Sequence, residues 1–110
     1  MKISDIIEPL ELKCVTEGDN SRDITGCYIG DLLSWVMSKA QSGNIWITIM
    51  TNVNIVAVAS LTDVACVIVC ENAEIDKAAI EKANQQGIAI FLSSNTAYEL
   101  ATKINHLKIF

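Results

Sequence analysis

The stretch Asn44 to Leu61, NIWITIMTNVNIVAVASL, leaves this chain little freedom. An apolar run, Ile45 to Met50, meets a polar break at Thr51-Asn52, and a second apolar run follows from Val53 to Leu61. The first run has the length and β-branched content of a strand. The second is just as rich in β-branched residues, and periodicity alone does not separate strand from helix there. Distance along the chain decides. The next strand, Ala65 to Cys70, begins about twenty residues after Ile45, and a parallel return needs a crossover of roughly a dozen residues, which a helix supplies. The stretch therefore reads as buried strand, turn and buried helix, with most other segments repeating that unit or packing against it.

In chain order, Ile3 to Leu10 is expected to form a short helix, with Ile3, Ile6, Ile7 and Leu10 on a common face and Pro9 near its end. Leu12 to Val15 reads as a strand. Glu17 to Gly26 collects turn-forming residues and is the longest expected loop, with a short strand at Ile24-Thr25 as an option inside it. Ile29, Leu32, Leu33, Val36 and Met37 recur at helical spacing, so a helix is predicted over Ile29 to Ala40, with Asp31 in its first turn and Lys39 in its last. Ala65 to Cys70 is apolar throughout, as expected of a strand covered on both faces. A helix over Ala73 to Gln86 follows, facing Ile75, Ala79, Ile80 and Ala83 inward and ending at Gly87. Ile88 to Leu92 is a further strand, and Thr96 with Glu99 forms a capping box for a last helix through about Leu107. Alternating strands and helices imply right-handed crossovers: a three-layer α/β/α fold with a mostly parallel sheet, in one domain over residues 1–110.

Composition narrows the function classes. Hydrophobic residues make up 51% and charged residues 19%, which suits a packed core; with aromatics at 5%, that core must be aliphatic. The net charge of −5 and the absence of a Lys/Arg cluster argue against nucleic acid and against an anionic membrane surface. The N-terminus carries Asp5, Glu8 and Glu11 and does not read as a signal peptide, and the region Ile45 to Cys70 is broken by polar residues, so a cytoplasmic protein is expected. Cys66 and Cys70 lie four apart in an expected strand, roughly 13 Å from each other, too far to pair or to share a metal. Free thiols are the expectation for these and for Cys14 and Cys27, with no metal and no cofactor.

Three strand ends share a pattern: WITIM before Thr51-Asn52, VIVC before Glu71-Asn72, and IFL before Ser93-Ser94-Asn95. In a parallel sheet such ends fall on one edge, where open α/β sheets bind ligands and where helix N-termini offer N–H groups to a phosphate or carboxylate. Thr25 and Gly26, read as entering the first long helix, are expected to join this rim, and Asn54 opens the next helix beside it. The candidate ligand-binding set is thus Thr25, Gly26, Thr51, Asn52, Asn54, Glu71, Asn72, Ser93, Ser94 and Asn95. Residues of these types also cap helices for stability alone, so their convergence carries more weight than any single member. No catalytic set is expected. The single histidine, His106, lies in the last helix away from the rim, no phosphate-loop motif occurs, and Asp31 with Glu71 is the one carboxylate pair to weigh as acid and base.

The segments Thr25-Gly26-Cys27-Tyr28, Asp31-Leu32-Leu33, Trp46-Ile47-Thr48, Asn54 to Ala59 and Gly87 to Ile90 together resemble the small stand-alone members of the DRTGG-domain family. That family is similar to the N-terminal domain of HPr kinase/phosphorylase, with related copies in phosphotransacetylases and CBS-containing pyrophosphatases. The resemblance covers about Asp19 to Lys103. It implies a three-layer α/β fold and a non-catalytic regulatory role, often as a dimer. Stand-alone copies accompany redox and hydrogenase-type systems. Two departures stand out: Gly26-Cys27 replaces the usual Gly-Gly, and Thr51-Asn52 replaces the Thr-His of many relatives. The kinase label of some relatives does not transfer, because the catalytic phosphate loop belongs to a different domain.

Two functions follow as expectations. One is a regulatory domain sensing a small anionic ligand, with a nucleotide as the candidate. The other is a ligand-free homodimeric or protein-interaction module attached to a redox/hydrogenase-type or kinase regulatory system, which the mean hydropathy of +0.35 also suits.

Overall fold

A computed structural model describes all of residues 1–110. The Asn44–Leu61 stretch folds as its pattern predicts: strand β3 (Asn44–Thr48), a turn, and helix α3 (Asn54–Thr62). Before it come α1 (Ile3–Ile6), β1 (Lys13–Thr16), β2 (Gly26–Ile29) and α2 (Leu33–Lys39). After it come β4 (Cys66–Val69), α4 (Lys77–Gln86), β5 (Ile90–Leu92) and α5 (Ala97–Leu107).

The five strands form one sheet in the order β1-β5-β4-β3-β2. β2, β3, β4 and β5 run parallel, and β1 lies antiparallel to β5. From β2 to β5 the chain always steps to the adjacent strand in the same direction. Crossovers of one hand then place α2, α3 and α4 on one face. Val36, Val56, Ala59, Ala79 and Ala83 from these helices pack there on Trp46, Val67, Val69 and Ile90. The opposite face is covered by α1 and α5, whose Ile3, Ile6, Leu100 and Ile104 meet Ile45, Ile47, Cys66, Ile68 and Phe91. The side chains of the central strands thus alternate between two apolar layers, and β4 is buried along its whole length.

Three expectations need correction, the simplest being that α4 begins at Lys77 rather than Ala73, with Ala73 to Asp76 lying outside the helix. The helix predicted from Ile29 is instead strand β2 followed by the shorter α2. Ile29 and Leu32 do not belong to a helix face: both are exposed, and α2 buries Val36 with Leu33 packed partly buried on the same core. Gly30 separates the two elements, with its N–H donating to the Ile47 carbonyl (3.2 Å) and its carbonyl accepting from the Trp46 indole (2.9 Å). The N-terminal helix is also shorter than expected. It ends at Ile6, and Ile7 to Glu11 continues as turns, with Glu11 in the left-handed region (φ 53°).

The two sheet edges differ. β1 carries Lys13, the exposed Cys14 and a bulge between Cys14 and Thr16, where the Thr16 hydroxyl takes over ladder bonds to Ile88 and Ile90. β2 pairs regularly with β3 along its length and has no such device.

All four cysteines are free thiols. Burial pushes the Cys66 thiol up to about 12 and the Cys27 thiol up to about 11, which leaves both protonated and unreactive at neutral pH.

Candidate functional site

The carboxyl ends of β3, β4 and β5 bring Thr51, Asn52, Asn54, Glu71, Asn72, Ser93, Ser94 and Asn95 to one border of the sheet. Their local roles differ. The Asn52 side chain accepts the Asn54 N–H (2.9 Å) and its carbonyl accepts the Ile55 N–H (3.2 Å), closing the start of α3. The Thr51 carbonyl accepts the Asp76 N–H (3.0 Å), tying the β3–α3 turn to the β4–α4 turn. The buried Ser93 hydroxyl accepts the Asn95 N–H (3.0 Å). Thr96 and Glu99 make the expected capping box, whose hydrogen bonds from the Thr96 backbone and hydroxyl hold the Glu99 carboxyl below its ordinary value.

Loops leaving adjacent strands part company at β4 and β5. After β4 the chain turns to α4 on one face, and after β5 it turns to α5 on the other. This divergence is where open α/β sheets form a ligand crevice. Here two main-chain hydrogen bonds join its lips: Glu71 N–H to the Asn95 carbonyl and Asn72 N–H to the Ser93 carbonyl, both 2.9 Å. To make them, Glu71 (φ 61°) and Asn72 (φ 53°) are held consecutively in the left-handed region. For Glu71 in particular this conformation costs of order 1–2 kcal/mol, and such retained strain is characteristic of functional loops.

Thr25 and Gly26 do not join this rim. Because Gly26 begins a strand rather than a helix, the pair sits at the opposite end of the sheet, beside Asn44. There the Thr25 hydroxyl donates to the Ser42 carbonyl (2.7 Å) and accepts from the Asn44 amide (3.2 Å), while the Thr25 N–H donates to the Gly43 carbonyl (3.0 Å). Thr25 therefore fastens the start of β2 to the start of β3.

Asp31 is likewise not a first-turn helix acid, because α2 begins two residues later. Its Oδ1 accepts from the buried Thr48 hydroxyl (2.7 Å) and from the Ile49 N–H (2.9 Å), strapping the exit of β2 to that of β3. Glu71 sits two strands away, at the tip of β4. Between them lies Cys70, whose thiol is raised first by burial and then by the Glu71 carboxylate, with Asp31 adding to it.

The rim is therefore a polar ledge with many of its turn N–H groups already engaged. Its free side-chain chemistry includes Glu71, Asn72, Ser94, Asn54 and the Thr51 hydroxyl, with Lys103 reaching in to donate to Asn95 Oδ1 (3.3 Å). Sequence reasoning did not anticipate Lys103. It lies eight residues after Asn95, and only the geometry of α5, whose side chains lean toward the helix N-terminus, brings it back to the rim.

The DRTGG-domain sequence model matches residues 5–107. The chain belongs to the DRTGG domain family. The match reaches further toward the N-terminus than the segments that first suggested it, so the end of α1 and all of β1 lie within the domain the family describes. No curated protein matches the chain. Among solved structures, the DRTGG fold seen here is similar to the CBS and DRTGG domains of the regulatory region of Clostridium perfringens pyrophosphatase, complexed with its activator, diadenosine tetraphosphate. The TM-score is 0.74 at 14% identity, over 94% of this chain and 45% of that one, so this chain spans less than half the length of its structural neighbour.

Proposed function

We propose that this chain is a non-catalytic regulatory domain, acting as one unit over residues 1–110, that senses a small anionic ligand at the carboxyl edge of its sheet. A nucleotide is the first candidate. One observation carries the reading: the tips of β3, β4 and β5 meet at a single border, and the divergence of the β4 and β5 loops falls within it, closed by the strained Glu71-Asn72 pair. Family membership and the nucleotide activator of the pyrophosphatase regulatory region support the same reading. The commitment of Asp31 to Thr48 and Ile49 takes it out of the pair with Glu71 weighed as acid and base, which favours binding over acid–base chemistry. A thermal-shift screen of nucleotides, dinucleoside polyphosphates and phosphorylated metabolites tests it. A ligand-dependent rise in melting temperature that Asn72→Ala and Ser94→Ala reduce is expected; a silent panel at millimolar concentration would sink the sensor.

A second reading, a homodimeric or protein-interaction module, is favoured by the β2 edge. Since Gly30 N–H bonds to Ile47, strand alternation turns the N–H and C=O of Cys27 and Ile29 outward. Exposed Ile29, Leu32 and Trp35 flank that bare edge. Unpaired backbone with apolar flanks is a template for another strand. Light scattering of the wild type and of Ile29→Lys discriminates: a dimer that the substitution dissociates supports this surface, and a clean monomer at high concentration removes the homodimer.

A further inference from the structure

The rim that gathers the strand tips carries net negative charge, with Lys77 at the start of α4 and Lys13 opposite Leu92 set against four carboxylates. Asp31, Glu71, Glu74 and Asp76 lie on its loops, and the turn N–H groups of Asn54, Asn95 and Glu99 are taken by side chains of the rim itself. A phosphate held there needs a cation close by. Beside the rim, the Pro9–Glu11 turn and α5 enclose a cleft of about 400 Å³, lined also by Thr102, Lys103, His106 and Leu107. Its volume falls within the roughly 300–1,000 Å³ of small-molecule sites. The turn leads into β1 opposite Leu92, so the cleft opens toward the end of β5.

We propose that this cleft is the anion subsite of the sensor, gripping a phosphate group of the ligand between Lys103 and His106. The assignment rests on the regulatory reading above and places the charge recognition in it. Lys103 and His106 stand three residues apart on α5 and so share a face. Neither is in an ion pair; the chain's two ion pairs are Lys2–Asp23 and Arg22–Asp63. The one bond of the Lys103 ammonium, to Asn95 Oδ1, uses one of its three N–H donors and leaves two for a ligand oxygen. Two carboxylates bear on the pair. Glu99, one turn earlier on α5, is engaged with the Thr96 N–H (2.9 Å). Glu11, on the facing turn, lines the same cleft and is held there in a left-handed conformation. Because Lys103 bridges the cleft and Asn95, a phosphate bound by it also pulls on the β5–α5 loop and, through the Asn95 carbonyl, on Glu71. That linkage couples ligand binding to the strained lips of the divergence.

Amide chemical-shift mapping on the full chain tests this, with inorganic pyrophosphate and adenosine diphosphate as probes. Shifts are expected at residues 9–11 and 102–107 together with Asn95. Lys103→Met and His106→Gln are each expected to weaken binding by about tenfold, and Glu11→Gln to tighten it several-fold. Equal affinity for the two probes identifies phosphate itself as the recognised group, and tighter adenosine diphosphate identifies a nucleotide; either supports the subsite. Shifts confined to residues 51–54, 71–74 and 93–96, with affinities unchanged in both weakening variants, would overturn the subsite while leaving the sensor standing. An unshifted wild-type spectrum with both probes up to about 10 mM, a dissociation constant too weak to regulate anything, would overturn the subsite and count equally against the sensor. The wild-type map decides by itself should a variant fold poorly.

Discussion

The two ends of the parallel strands solve the same backbone problem in different ways. At the amino end, the chain needs a left-handed residue just before β3 and uses Gly43 (φ 83°). A Cβ there would lie 2.7 Å from the Thr25 methyl carbon and 2.8 Å from its hydroxyl oxygen. Around it Thr25, Ser42, Asn44, Arg22 and Asp63 form a network whose members bond to one another. At the carboxyl end, two left-handed residues follow β4, and neither is glycine. Asp63 (φ 57°), at the amino end, is also left-handed, but aspartate tolerates that region and is fixed there by Arg22 and Ser42, whereas Glu71 is held there with its side chain unengaged. By this contrast, the Thr-Gly segment by which the chain resembles its family belongs to the fastening end, and the proposed ligand rim lies at the other.

The largest expected effect breaks the amino end. Gly43→Ala combines a left-handed alanine with a clash against Thr25 and is expected to cost about 3 kcal/mol, read as a lowered urea midpoint at unchanged slope. Gly43→Ala in a Thr25→Ser background, which removes the clashing methyl, should recover part of that loss. If Gly43→Ala is neutral, the packing of Thr25 on Gly43 is not what joins β2 to β3. Arg22→Ala comes next. Its guanidinium donates to both Asp63 carboxylate oxygens (2.9 and 3.3 Å) and to the Asp63 carbonyl (3.1 Å), but Asp63 is largely exposed, so a loss of about 1–2 kcal/mol is expected. Ligand response at the far rim should survive this change.

The comparison also separates what was legible in the sequence from what was not. The β3–α3–β4 unit, α4 with its Gly87 stop and the Thr96 capping box were readable because each combines periodicity with a residue that enforces an end. The convergence of Asn52, Asn72 and Asn95 followed from parallel strands alone. Strand β2 was hidden, because Ile29, Leu32, Leu33 and Val36 satisfy helical spacing while Gly30 can be tolerated in a helix. That one error carried Thr25 and Gly26 to the wrong end of the sheet and turned Asp31 from a strap between strands into a helix acid. The left-handed Glu71 had no local signal, unlike Asn72, whose residue type tolerates that region; the carbonyls of Ser93 and Asn95 from the next unit fix both.

Relieving the strain at the carboxyl end sharpens the contrast. Glu71→Gly exchanges left-handed strain for the greater flexibility of glycine in the unfolded chain, a net gain of about 0.5–1 kcal/mol. A rise in melting temperature with loss of the nucleotide-dependent shift would tie the strain to binding. A fall in melting temperature would mean that the Glu71 side chain stabilises the loop, and the strained-rim picture would have to go.

The smallest effect is a difference in acid sensitivity between the two ends. Asp63 is held below its ordinary carboxylate value, first by the Ser42 hydroxyl and then by Arg22. A carboxyl with a lowered folded-state value contributes stability above the unfolded-state value, about 3.9, and loses it as pH falls through the folded-state one. Asp19 has the same sign, from the Ser21 hydroxyl and N–H, so two lowered carboxyls hold the loop that carries Arg22 against the single Glu99 of the rim's Thr96 cap, and that loop should loosen first. Asp63→Asn should therefore flatten the decline in stability below about pH 4, by a few tenths of a kcal/mol given its exposure. Amide exchange followed from pH 5 downward checks the order directly. Protection at Thr25 and Asn44, whose segments are fastened through Ser42 and Asp63, should fall before that of Asn72, whose N–H bonds to the Ser93 carbonyl with no lowered carboxyl beside it.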